Sequence, residues 1–125
     1  MRIAAAVAID GDGIVPLSEG PALIVLDTAT MVEERYGNPG YPLETGKRKA
    51  ATEFLHRRGV DLVCAVPQTF CPTSHQLAQS FGMRFLPLPP GATWSQVVQE
   101  QLWSGDATDA IEKAYLYIPK PAKQT

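Results

Sequence analysis

Long apolar runs are missing from this 125-residue chain, and so is any excess of basic charge. The first apolar stretch, Ile3–Ile9, stops at Asp10, far short of the roughly 20 residues that cross a bilayer. A formal net charge of −2 offers no general phosphate-binding surface. Neither a membrane nor a nucleic acid is therefore expected as the main partner, and a cytoplasmic location is expected. Cysteine is scarce: Cys64 and Cys71 are too few for a disulfide scaffold and are read as reduced thiols. Several signatures are also missing. There is no glycine-rich phosphate loop, no Gly-x-Ser-x-Gly and no His-Glu-x-x-His. Asp10-x-Asp12 opens like a calcium loop, but the third acid and the closing Glu are absent, so it reads as a turn.

What is present suits one globular domain. Hydrophobic residues make up 45% of the chain and charged residues 19%, which excludes a disordered chain and permits one ordinary core. Eleven prolines and ten glycines imply short elements joined by sharp reversals.

Arg2–Ile9 reads as a buried strand, followed by the turn Asp10-Gly11-Asp12-Gly13. Ile14-Val15 begins a return that Pro16 stops. Ala22–Leu26 and Thr30–Arg35 form a hairpin. The loop Tyr36–Thr45 crosses to the next layer, with Thr45 as the expected cap of a helix that Gly59 ends. Asp61–Val66 is a central strand, and Pro72–Gly82 spans a helix opened by Pro72 and closed by Gly82. Met83–Leu86 is a further strand. Thr93 caps a helix running through Trp103, with Trp94 and Trp103 as packing residues. A last helix is expected over Asp106–Tyr117, and residues 119–125 form a polar tail. This order predicts an α/β fold: a mixed sheet with helices packed against it, one domain over residues 1–118.

Chemistry concentrates in the turn from Cys64 to His75. It links a strand to a helix at the carboxyl end of the sheet, where ligands bind in open α/β folds. Cys64, inside the strand, reads as a small core residue. Cys71 stands at the helix N-terminus, where free N–H groups favour a thiolate. His75 follows four residues later, either as a second ligand beside Cys71 or as an ordinary surface helix residue. A thiolate with an imidazole suits a soft metal or an iron–sulfur species. The same pair also permits a nucleophile with its base, although no third residue is in place to orient the base. Lys47, Arg48, Lys49, His56, Arg57 and Arg58 make the first helix locally basic, as an anion site or as a solvated face.

A set of short pieces points to a family. The start Met1-Arg2-Ile3-Ala4-Ala5-Ala6 is followed by the Asp10–Gly13 turn, and Gly20-Pro21 leads to a strand ending in Val25-Leu26-Asp27. Asn38-Pro39 precedes the first helix, and Gly59-Val60-Asp61 closes it. Pro72 opens the second helix, Phe81-Gly82-Met83 ends it, and Val97–Asp106 supplies the closing pattern. Over residues 1–106 the chain resembles the dinitrogenase iron-molybdenum cofactor family, of the NifX and NifB C-terminal type. The resemblance implies a ribonuclease-H-like fold. It also implies a small, non-catalytic carrier or chaperone for an iron–sulfur or iron–molybdenum cofactor precursor. The expected partners are metallocofactor-assembly proteins and further copies of the chain in a homo-oligomer.

Two departures redirect the expected site. The family's loop histidine falls on Pro16, and its paired glycines fall on Gln68-Thr69, with the next glycine on Cys71. Side chains thus replace a backbone cradle. The residues expected to bind the cofactor are Ser18, Glu19, Gln68, Thr69, Cys71 and His75, with Cys71 and His75 on metal. The alternative is a relative that keeps the fold and serves as an interaction domain without cofactor, through the Tyr36–Thr45 loop and the segment after Tyr115.

Overall fold

The computed structural model describes residues 1–8 and 11–118; Ile9, Asp10 and the expected tail at 119–125 lie outside the described residues. Six strands and three helices appear in the order β1 (Arg2–Val7), β2 (Ile14–Val15), β3 (Ala22–Asp27), β4 (Val32–Gly37), α1 (Lys47–Arg57), β5 (Leu62–Ala65), α2 (Pro72–Ser80), β6 (Arg84–Pro87) and α3 (Trp94–Glu100). They build a single small α/β domain around one mixed sheet, ordered β4-β3-β1-β5-β6. No described helix is long and apolar enough to cross a membrane.

β1 is the axis of the sheet because its residues are apolar on both faces. It pairs antiparallel with β3 along its full length, from Arg2 opposite Asp27 to Val7 opposite Ala22. Its other edge is shared: β5 runs parallel beside Ile3 and Ala4, and β2 runs antiparallel beside Ala6 and Val7. Alternation along the strands divides the core. Ile3, Ala5, Val7, Ile24, Leu26 and Cys64 pack toward α3 through Trp94 and Val97. Ala4, Ala6, Leu23, Val25, Val63 and Phe85 pack toward α1 and α2 through Ala51, Leu55 and Ala78. Cys64 is a core residue, as its place in an apolar strand predicts.

Glycine ends the helices where expected. Gly59 and Gly82 take φ of 72° and 80°. Val60 N–H and Met83 N–H then reach back to the carbonyls of Leu55 and Ala78, each at 3.1 Å, closing both C-termini. Thr93 caps α3 by accepting Gln96 N–H at 3.2 Å.

Four expectations need correction. Gly46, at φ 70°, rather than Thr45, precedes α1, and no side chain caps it. The second hairpin strand is Val32–Gly37, two residues later than expected, because Met31 takes φ 58° inside the turn. α3 stops at Glu100, since Gln101 adopts φ 48° and only a 3₁₀ turn, Leu102–Ser104, carries Trp103.

The fourth correction is the largest. Asp106–Tyr117 is no α-helix but an extended strap with one 3₁₀ turn at Lys113–Tyr115. Thr108 exchanges two backbone hydrogen bonds with Phe85, at 2.7 and 2.8 Å. β6 is an edge strand with unpaired backbone groups, and satisfying them outweighs the local helical pattern.

Candidate functional site

The carboxyl edge of the sheet gathers the loops Pro16–Gly20, Asn38–Gly46 and Pro67–Cys71. Asn38 is the clamp between the first two. It is 4% exposed, and its Nδ2 donates to the carbonyls of Leu17 and Gly20, both at 2.8 Å. Its Oδ1 accepts Gly40 N–H at 2.9 Å. Gly40 then passes so close to α1 that an added Cβ would sit 2.1 Å from the Lys47 carbonyl oxygen. The Asn-Pro pair of the sequence thus fixes where α1 begins.

α1 and α2 open toward a shared cleft of about 270 Å³, lined by Gly46, Lys47, Arg48, Lys49, Cys71, Thr73 and Ser74. Both first turns present backbone N–H groups, and neither carries an acidic side chain. Lys47 Nζ donates to Tyr41 O at 2.6 Å. Arg48 donates to Gln68 O at 3.1 and 3.3 Å, and its guanidinium lies 4.4 Å from the centre of the Tyr117 ring.

Cys71 is the N-cap of α2. Its N–H donates to Ser74 Oγ at 3.0 Å, and its Sγ lies 3.3 Å from the same oxygen. Burial acts to raise the thiol pKa. Hydrogen bonds from the Ser74 side chain and from the Ser74 and Thr73 backbone, with the Arg48 charge nearby, outweigh it and lower the pKa. Cys64 is the contrast, pushed up to about 12 by burial.

The structure brings only part of the expected set to this cleft. Cys71 lines it; Ser18, Glu19, Gln68, Thr69 and His75 do not. Ser18 and Glu19 lie on the loop that Asn38 clamps, and Glu19 is exposed. Gln68 sits at φ 71°, a conformation glycine adopts without strain, at a position where the resembled family carries glycine. Its N–H donates to Tyr115 O at 2.7 Å. Thr69 is 1% exposed, and its hydroxyl is the one buried side-chain polar atom without a partner among the described residues.

His75 is not a surface residue. It is 8% exposed, with its ring 5.1 Å from that of Phe85, and Nε2 accepts Ile111 N–H at 3.0 Å. The proton is therefore on Nδ1, and burial lowers the pKa. Its Nε2 lone pair serves the strap, not the cleft. Among the described residues, no group of three or more His, Cys, Asp or Glu is arranged to hold a metal ion.

The basic run on α1 also divides. His56 stacks on Phe81 with centroids 3.9 Å apart, and Arg58 lies over Tyr36 and Phe54, so these residues serve packing. Only Lys47, Arg48 and Lys49 face the cleft. Sequence reasoning had no means of joining them to Cys71 across 22 residues. The Ser74 contact was missed as well, although Cys-Pro-x-Ser, with a polar side chain at the third helical position, carried a signal for it.

No protein-family model and no curated protein matches the chain. Solved structures do. The apo form of the orange protein from Desulfovibrio gigas superposes with a TM-score of 0.71 at 26% identity, over 85% of this chain and 89% of that one. A NifB-type protein from Thermotoga, assigned to the DUF35 family, superposes with a TM-score of 0.65 at 16% identity, over 86% and 90% of the two chains. The chain thus shares its fold with a NifB-type protein and, at higher identity, with the orange protein.

Proposed function

We propose that this chain is a small non-catalytic carrier of an anionic metal–sulfur cofactor, or of its iron–sulfur or iron–molybdenum precursor. The observation that carries the reading is the Cys71 sulfur on a cleft lined by Lys47, Arg48 and Lys49. A bare metal ion is a poor fit, because a closed tetrahedral site needs four ligands and the cleft supplies one thiol. A cluster that brings its own sulfides and negative charge fits better. Cys71, its sulfur already bonded by the first N–H groups of α2, would give it one thiolate, while the N–H groups at the start of α1 and the Lys49 ammonium would balance its charge.

The fold likeness supports this reading. The orange protein structure is an apo form, which is the state of a protein without its bound group. The NifB-type neighbour lends fold-level support to the resemblance, and a ribonuclease-H-like topology of the NifX type is part of the same proposal. Assembly proteins that load and unload the cargo would be the partners. A second reading, an interaction domain without cargo, draws on Pro16 and Gln68-Thr69 standing where the family has histidine and glycines.

Anaerobic incubation with ferrous iron and sulfide, then gel filtration with visible absorption, separates the two. The carrier reading expects a coloured band that elutes with the protein, disappears in Cys71→Ser and weakens in Lys49→Glu. A colourless protein peak, or colour indifferent to Cys71→Ser, contradicts it.

A further inference from the structure

We propose that the outer edge of β4 pairs antiparallel with the same edge of a second copy of this chain, placing Glu33 of each copy opposite Arg35 of the other. β4 ends the sheet, and no described strand covers its outer side. All six of its residues except Tyr36 are exposed.

The backbone sets which groups are free. Asn38 N–H donates to Pro21 O at 3.0 Å, one step beyond the Ala22–Gly37 pair. In an antiparallel ladder, alternate residues turn their N–H and C=O to the same neighbour. Tyr36, Glu34 and Val32 therefore face β3, while Gly37, Arg35 and Glu33 turn their backbone groups outward.

The side chains then choose the register. A two-fold axis perpendicular to the sheet keeps the faces of the two copies aligned, so residues opposite each other must share a face. With the axis at Glu34, Glu33 and Arg35 form two hydrogen-bonded cross-strand pairs of opposite charge on one face, Glu33 Oε1 accepting Trp94 Nε1–H of its own chain and Oε2 left to meet Arg35. Val32 meets Tyr36 of the second copy on the other face. Shifting the axis by one residue either way puts Glu33 opposite Glu33 or Arg35 opposite Arg35, which opposes those registers. Charges usually protect an exposed edge. Here their order, Glu33-Glu34-Arg35, makes the edge complementary to itself. The two Glu34 carboxylates meet across the axis as the one like-charged pair, although each is bonded to the Tyr36 hydroxyl of its own chain. A single strand contact is smaller than the roughly 1,600 Å² of a standard interface, so the dimer should dissociate on dilution.

Sedimentation velocity over a concentration series is the test. The wild-type chain should shift reversibly from monomer to dimer, and Glu34→Gln should strengthen the dimer. Glu33→Arg and Arg35→Glu, each checked for native circular dichroism, should be monomers because each sets like charges opposite one another. An equimolar mixture of the two variants should recover the dimer as a heterodimer. A wild-type monomer at every concentration, or a dimer that survives Arg35→Glu, overturns the pairing. So does a mixture that fails to recover a dimer.

Discussion

The hydroxyl of Ser74 accepts the N–H of Cys71 at 3.0 Å and lies 3.3 Å from its sulfur, so one side chain both fixes the start of α2 and touches the thiol. Ser74→Ala should therefore raise the Cys71 pKa and slow alkylation near neutral pH several-fold, with a smaller effect at high pH. Iodoacetamide labelling against pH, read by mass spectrometry, measures this. Cys64, 1% exposed with a pKa pushed up to about 12, should label only on unfolding.

His75 makes stability depend on pH. Burial lowers its folded pKa below the unfolded value of about 6.5. Above that value both states are neutral and the group contributes nothing. As pH falls through it, the unfolded chain binds a proton that the folded chain refuses, so stability drops toward acid, by at most about 1.4 kcal/mol per pH unit. Urea midpoints at pH 7 and pH 5 should fall less in His75→Gln than in the wild type.

The contrast between His75 and Asn38 shows what the sequence made legible. Helix ends at Gly59 and Gly82, the cap at Thr93 and the buried Cys64 follow from local rules, and the mixed α/β order follows from those elements. The two readings of His75, ligand or surface residue, both failed to anticipate a buried side chain holding the strap, because its partner is the backbone of Ile111, 36 residues away. The strap itself was misread for the same kind of reason: its helical pattern is local, but the β6 edge that draws it out is not. The place of Cys71 at a helix start was legible, whereas the cations that share its cleft depended on how α1 and α2 pack.

Asn38 joins the Pro16–Gly20 loop to the start of α1 through three hydrogen bonds. Asn38→Ala would leave the carbonyls of Leu17 and Gly20 without this donor. A loss of about 2–3 kcal/mol is expected by chemical denaturation, with faster amide exchange in both loops.

Thr69 offers a change in the opposite direction. Its buried hydroxyl has no partner among the described residues. Thr69→Val keeps the shape and removes the unpaired group, so the unloaded protein should gain about 1 kcal/mol by thermal denaturation.

The central claim is that the Cys71 cleft holds a metal–sulfur cargo. Elemental analysis of protein purified without air, alongside Cys71→Ser purified in the same way, tests it most directly. The account predicts iron or molybdenum together with acid-labile sulfide in stoichiometric proportion to the wild-type chain, and little in the variant. Wild-type protein free of metal and sulfide, or equal loading of both proteins, would contradict it.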